Sequence, residues 1–354
     1  GPLRAAHYFR AMDEWKGKTV QNWREVKAGV DDAEKAHQRF FKSASRFGLH
    51  AVGLGSGAYL ASVATHAVAK QVGERGRELA RYDLGGLDAD EKAAAEAKAG
   101  EISSKYPNLS RTEVLGHIRQ LRARLGSFDH AMENAETIAK AQTVLGTLGQ
   151  GESAGEDLEK LVLALESQGL GSNPNKFRDY ADAFVKAKSL FPDMRGEDFR
   201  EYMQRSNSSK YGLSDDYLKN VVPTLMQHEG ASNFGVMQAS AFSALIGKRQ
   251  KKSAKAQMQQ YGLLGDNDEL KDASLFVSNP YEWAIQRLAP ALEKGGITMD
   301  EEHRGAMVTA MTRMFSDRKV SEFFASMLVN RAVVEKDREF LRHSKGTELS
   351  LIHI

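Results

Sequence analysis

Cysteine is absent from all 354 residues, which excludes disulfides, thiolate nucleophiles and every cysteine-bearing zinc site. A net excess of one charge is missing too: 49 lysines and arginines stand against 47 aspartates and glutamates, a formal +2. That balance argues against a nucleic-acid binder, which would show a strongly basic face. Proline is scarce, with seven residues. No stretch alternates apolar and polar residues with β-branched enrichment for long enough to make a sheet. Long apolar runs are also few. Phe47 to Ala69 carries no Asp, Glu, Lys or Arg and is long enough to span a bilayer. However, Gly48, Gly53, Gly55, Gly57, His50 and His66 dilute it, so a buried or self-associating helix packed through its small residues is expected. At 41% apolar, 27% charged and a mean hydropathy of −0.48, the chain has the composition of a soluble protein with ample core.

What is present reads as helix after helix. A charged amphipathic stretch runs from about Ala5 to Phe47, with Trp15, Trp23, Phe40 and Phe41 among its apolar members. Asp88 to Lys105 has the alanine and charge content of a solvated helix. Ser110-Arg111-Thr112-Glu113 matches the capping box and precedes Val114, Ile118, Leu121 and Leu125 at helical spacing. Gly146 to Gly155 and Gly169 to Pro174 read as glycine-rich links. Ser214-Asp215-Asp216 caps a helix carrying Tyr217, Leu218, Val221, Val222 and Leu225. Further helices are expected at Met237–Ile246, Ala254–Tyr261, Pro280–Leu292, Glu301–Phe315 and Val320–Leu341. In the Pro280 helix, Asn279 is a good N-cap, Pro280 suits the first helical position, and Glu282 can reach back to the cap. Tyr281 and Trp283 lie two positions apart, so they point to different faces and can join two neighbouring elements.

The expected fold class is all-α, with extended N-terminal helices followed by an irregular multi-helix array. A charged helix and a Gly/Ala-rich apolar segment occupy 1–72, a helical linker region 73–150, and a helical domain 151–348, with the best boundary near Gly149–Gly155. Residues 349–354, Leu-Ser-Leu-Ile-His-Ile, are what a common transposase sequencing adapter encodes in this frame. They are expected to be a read-through and are left out of the fold.

Signatures of chemistry are incomplete. Gly53-Leu54-Gly55-Ser56-Gly57 lacks the strand before it and the acidic residue beyond it that a dinucleotide turn needs. Gly247-Lys248 lacks the rest of a phosphate loop. His228-Glu229 begins like a zinc-protease helix, but Ser232 stands where the second histidine belongs. His117, His130 and His303 have no partner at ligand spacing. Glu229 with Gly235-Val236-Met237-Gln238 resembles the glutamate and Gly-Leu-Met-Gln signature of lytic transglycosylases, in which a partly desolvated acid protonates the leaving oxygen. Only five residues separate Glu229 from Gly235, too few to supply a cleft wall, and Gly230 replaces the usual serine. The basic run Lys248 to Lys255 has no interleaved aromatics and reads as a solvated turn. The late methionines, Met299, Met307, Met311, Met314 and Met327, read as core filling. No catalytic, cofactor-binding or metal-ligating residue is assigned.

In order along the chain, several segments resemble bacteriophage tail tape measure proteins. They are Thr143-Val144-Leu145-Gly146, Phe177 to Phe191, Ser214-Asp215-Asp216-Tyr217 through Val222-Pro223-Thr224-Leu225, and the turn Glu229-Gly230-Ala231-Ser232. Ala244 to Lys248, Tyr261-Gly262-Leu263-Leu264, Asn279-Pro280-Tyr281-Glu282-Trp283 and Phe323 to Asp337 follow. Asn279 to Trp283 is the most specific, and the resemblance covers roughly Ala139 to Leu341. It implies a structural, non-enzymatic protein that occupies the tail tube lumen and sets tail length, working in the host cytoplasm during assembly and in the virion afterwards. The implied partners are tail tube and assembly proteins and further copies of the chain, with 47–69 as the candidate host-membrane contact and no specific nucleic acid or cofactor. A lytic transglycosylase-like enzyme using Glu229 and a generic helical scaffold are the alternatives.

Overall fold

A computed structural model describes residues 73–170, 173–299 and 302–348. The segments 1–72 and 349–354, and with them the charged N-terminal stretch, the 47–69 segment and the adapter-like end, lie outside the described residues. Every regular element among the described residues is helical, and one isolated antiparallel bridge pairs Leu264 with Leu270. The expectation of an all-α fold is met.

The chain divides between Glu96 and Ala97 into two units. In the first, α1 (73–84) precedes α2 (Ala89–Lys105), which runs on across the division. Arg75 pairs with Glu96 at 2.8 Å and Lys92 with Asp83, tying the two helices by charge.

The second unit opens with long helices: α3 (Arg111–Leu125), α4 (Phe128–Thr147), α5 (Gly151–Glu166) and α6 (Pro174–Leu190). The capping box of α3 forms as expected. Glu113 N–H donates to Ser110 Oγ at 3.2 Å, and Ser110 N–H donates to the Glu113 carboxylate at 2.7 Å. The expected link at 146–155 is a correction. Gly146 lies in α4, Gly151 and Gly155 lie in α5, and only Leu148, Gly149 and Gln150 connect them. Helices α4 and α5 pack on one another there. A Cβ on Gly151 would stand 3.4 Å from the Gly146 Cα, so these glycines permit a close turn and not a flexible joint.

Shorter elements follow: α7 (Gly196–Arg205), a 3-10 turn (Asn207–Gly212), α8 (Asp215–Asn220), α9 (Val222–Glu229), α10 (Ala231–Leu245) and α11 (Lys252–Gln260). The single helix expected from Tyr217 to Leu225 breaks at Val221, because Pro223 has no N–H to continue the ladder. Next come α12 (Ala273–Ser278), α13 (Pro280–Trp283), a π-turn (Ala284–Leu288) and α14 (Ala289–Lys294). In that turn Ala289 N–H donates to Ala284 O, five residues back. The wide turn precedes Pro290, whose missing N–H disturbs the regular pattern. The chain closes with α15 (Arg304–Met314), α16 (Arg318–Val329) and α17 (Arg331–His343). The expected Val320–Leu341 helix is therefore two helices, divided at Asn330.

Packing runs from α4 against α6, through α5 on α7 and α7 on α10, to α10 on α16. At the α7–α10 crossing a Cβ on Gly235 would meet Arg205 Cβ at 2.7 Å and the Tyr202 carbonyl at 2.8 Å, so only glycine permits that approach. A continuous file of buried rings fills the centre. Tyr202 stacks on Phe234 and Phe234 on Phe323, and Phe324 touches Phe323, Phe315, Phe276 and Trp283, with centroids 4.9 to 6.2 Å apart. The end of the described chain is clasped onto α6: Thr347 donates both its N–H and its hydroxyl to Asp182 Oδ1, each at 2.7 Å.

Candidate functional site

Asn279 to Trp283 occupies the hub of the second unit. The Asn279 side chain caps α13, accepting from Glu282 N–H at 3.1 Å. The aromatic pair divides between neighbours as its spacing predicts. Tyr281 donates its hydroxyl to Glu335 Oε1 on α17 at 2.8 Å, while Trp283 Nε1 donates to the Lys271 carbonyl at 2.8 Å. Glu282 departs from expectation. Its carboxylate does not return to the cap but accepts from Arg338 at 2.6 Å and from Gln286 at 2.9 Å. The guanidinium of a distant helix outcompetes the local amide because it brings a full positive charge to the carboxylate, where the amide brings only a dipole.

Arg338, 7% exposed, joins three segments. One end of its guanidinium meets Glu282, and the other meets Asp216 on α8 at 2.6 Å. Arg342 adds a second cation to Asp216 at 2.7 Å. Burial pushes the Asp216 carboxyl up, but hydrogen bonds from Arg342, Asn220 and Arg338 outweigh it and hold the group below its ordinary value. Burial likewise opposes the charge on Arg338, and Asp216 and Glu282 overcome it. Beside them, Thr224 on α9 donates its hydroxyl to the buried Asp337 at 3.2 Å.

A second buried cluster centres on Gln238. Its Oε1 accepts from the Tyr202 hydroxyl at 2.6 Å and the Tyr217 hydroxyl at 3.1 Å, and its Nε2 donates to Ser209 Oγ at 3.0 Å. Burial pushes both phenols well above their usual range, so they stay protonated donors. Gln238 and Gly235 thus belong to the core, with Gln238 only 1% exposed. Glu229 is half-buried in the last turn of α9, and Gly230 at φ 77° opens α10. Gly235, Met237 and Gln238 of the transglycosylase-like signature are thus buried core residues.

The other sequence candidates are dispersed. His228 and His303 are exposed. No group of three or more His, Asp or Glu side chains is placed to hold a metal among the described residues, and no described helix is long and apolar enough to cross a membrane. The basic run forms the turn into α11, with Lys248 on Glu269 at 3.3 Å and Lys255 on Asp268 at 2.9 Å. Met307, Met311, Met314 and Met327 are buried, as core filling requires, whereas Met299 is only half-buried.

His117 on α3 is different. Its ring keeps some solvent contact, yet Nδ1 is sealed without a hydrogen-bond partner, beside a void of about 20 Å³ that Arg124 and Glu159 also line. Burial holds its pKa below the usual value, against the opposing pull of Glu113. A depressed imidazole favours folding fully above the unfolded-state value of about 6.5 and loses that contribution as pH falls below it. Thermal melts should therefore show stability declining from pH 7 to pH 5, with a shallower decline in His117→Gln. Equal slopes would remove His117 as the cause.

No local pattern signals the Arg338 junction or the Gln238 hub, since each gathers side chains from helices far apart in the chain. Comparison with protein-family models, with curated proteins and with solved structures gives no match.

Proposed function

We propose that this chain is a structural phage tail protein that lies in the tail tube lumen and sets tail length during assembly. One observation carries the reading: three of the segments that resemble tape measure proteins, 214–225, 279–283 and 323–337, meet at one junction, where Thr224 donates to Asp337, Tyr281 donates to Glu335 and Trp283 packs on Phe324. Arg338, the next residue after the last of them, ties Asp216 and Glu282 together as ion pairs. Residues that resemble a family only in order along the chain are, in space, parts of one packing unit, as expected if a shared helical architecture is what they specify. The all-helical build supports the same reading, since an extended helix converts residues to distance at about 1.5 Å each. The second unit is folded back on itself, and so acts as a compact section within the ruler. Its partners are the tube subunits that polymerise around it.

The test is genetic and metric. In a phage carrying this gene, in-frame removal of the sequence for residues 97–348 should give shorter tails of uniform length by electron microscopy, and duplication should give longer ones. Tails of unchanged length in both would overturn the proposal.

A further inference from the structure

Independently of any role in a tail, the second unit carries a polar cleft of about 540 Å³ between the end of α7, the flank of α10 and the turns at 249 and 317. Two arginines line it, Arg205 and Arg249, and both are exposed. Neither guanidinium has a hydrogen bond or ion pair among the described residues, whereas the side chains of other cations do: Arg200 with Glu197, Lys248 with Glu269, Lys255 with Asp268, Lys319 with Glu322. The hydroxyls of Ser240 and Ser243, one turn apart on α10, also face the cleft without partners in the chain.

The backbone presents both arginines. Arg205 ends α7, and its Cβ sits where any side chain on Gly235 would have to go, so the side chain leaves the backbone at the helix crossing. Arg249 follows Lys248, which adopts φ 54°, and its N–H returns to the Ala244 carbonyl at 3.0 Å. A left-handed residue followed by that return bond is a common way to end a helix. Lys248 and its glycine are therefore a turn that sets Arg249 at the cleft rim.

We propose that this cleft binds a small polyol phosphate. Guanidinium forks match the oxygens of a phosphate in pairs, and serine hydroxyls complete the donor set. The lining also includes Asp317, whose Oδ1 already accepts from Lys319 N–H at 2.7 Å. A carboxylate there repels a second anionic group but accepts hydrogen bonds from hydroxyls, which selects a phosphate with a neutral hydroxylated part. The cleft is the size of a small-molecule site, and its lining holds two arginines rather than the basic stripe that tracks a nucleic-acid backbone.

The test titrates the full chain with glycerol phosphate, inorganic phosphate and a short single-stranded oligonucleotide by calorimetry at fixed salt. Arg205→Gln and Arg249→Gln are the variants, and Arg178→Gln, an exposed arginine on α6, is the charge-matched control. All three changes are at exposed positions, and circular dichroism confirms the fold. Glycerol phosphate should bind saturably and more tightly than inorganic phosphate. Each cleft variant should weaken it about tenfold, the loss of one charge-assisted pair, and the control should leave it unchanged. No saturable binding up to millimolar ligand would overturn the proposal, as would equal weakening by Arg178→Gln. Tighter binding of the oligonucleotide with the same arginine dependence would replace it with backbone recognition.

Discussion

Lys188→Met should lose about 3–5 kcal/mol of unfolding free energy in urea, because it leaves a buried carboxylate without its cation. Lys188 and Asp157 are 2% and 5% exposed, and their side chains meet at 2.6 Å between α6 and α5. The second oxygen of Asp157 accepts from Gly196 N–H at 3.0 Å, at the first residue of α7. A Cβ on Gly196 would overlap the Asp157 carbonyl itself. One aspartate thus binds three helices together, and none of its contacts has water to replace it. The double variant Asp157→Leu with Lys188→Met should be less destabilised than Lys188→Met alone, leaving mainly the unpaired Gly196 amide, about 1–3 kcal/mol. A Lys188→Met protein within about 1 kcal/mol of the parent, well under the cost of an unpaired buried charge, would mean that the pair is solvated in solution.

Trp283→Ala should be as damaging, at about 3–5 kcal/mol, the usual cost of truncating a buried indole to a methyl. The ring is fully buried, in contact with Phe276 at 5.6 Å and Phe324 at 5.4 Å, and its N–H satisfies the Lys271 carbonyl. Trp283→Phe separates the two contributions. It keeps most of the packing and orphans the carbonyl, so it should cost about 1–3 kcal/mol, the penalty of one unsatisfied buried group. Chemical denaturation followed by far-ultraviolet circular dichroism measures both. If Trp283→Phe proved as harmful as Trp283→Ala, the hydrogen bond and not the ring would hold this hub.

The parts of this architecture that could be read in advance are those encoded within a few residues. Ser110 with Glu113, Ser214 before α8, and Asn279 with Pro280 each specify a helix start through a side chain three residues or fewer from the amide it serves. The opposed reach of Tyr281 and Trp283 follows from the helical period alone. What escaped reading depends on distant chain. Glycine density around 146–155 signals a loop, yet packing keeps those residues helical. Asn330 ends α16 without a proline or glycine to announce it. Glu282 looks like a cap residue until Arg338, 56 positions away, provides a stronger partner. Gln238 looks like part of an enzyme signature until Tyr202 and Tyr217 surround its amide. The cleft arginines were hidden for the same reason: Arg205 and Arg249 become neighbours of one space only after α7 crosses α10.

The uneven lengths of the helices have a further consequence. Helices α3 to α6 run to 15 or more residues each, whereas α8, α9, α12, α13 and α14 have eight or fewer. Isolated helices shorter than about 12 residues do not persist in water. From α8 to α14 only α10, with 15 residues, exceeds that length, so the short helices around it hold by packing alone. A protease that nicks this region once should remove the whole stretch, while the α3 to α6 bundle outlasts it. Under load the same region would give way in a single step, like a latch.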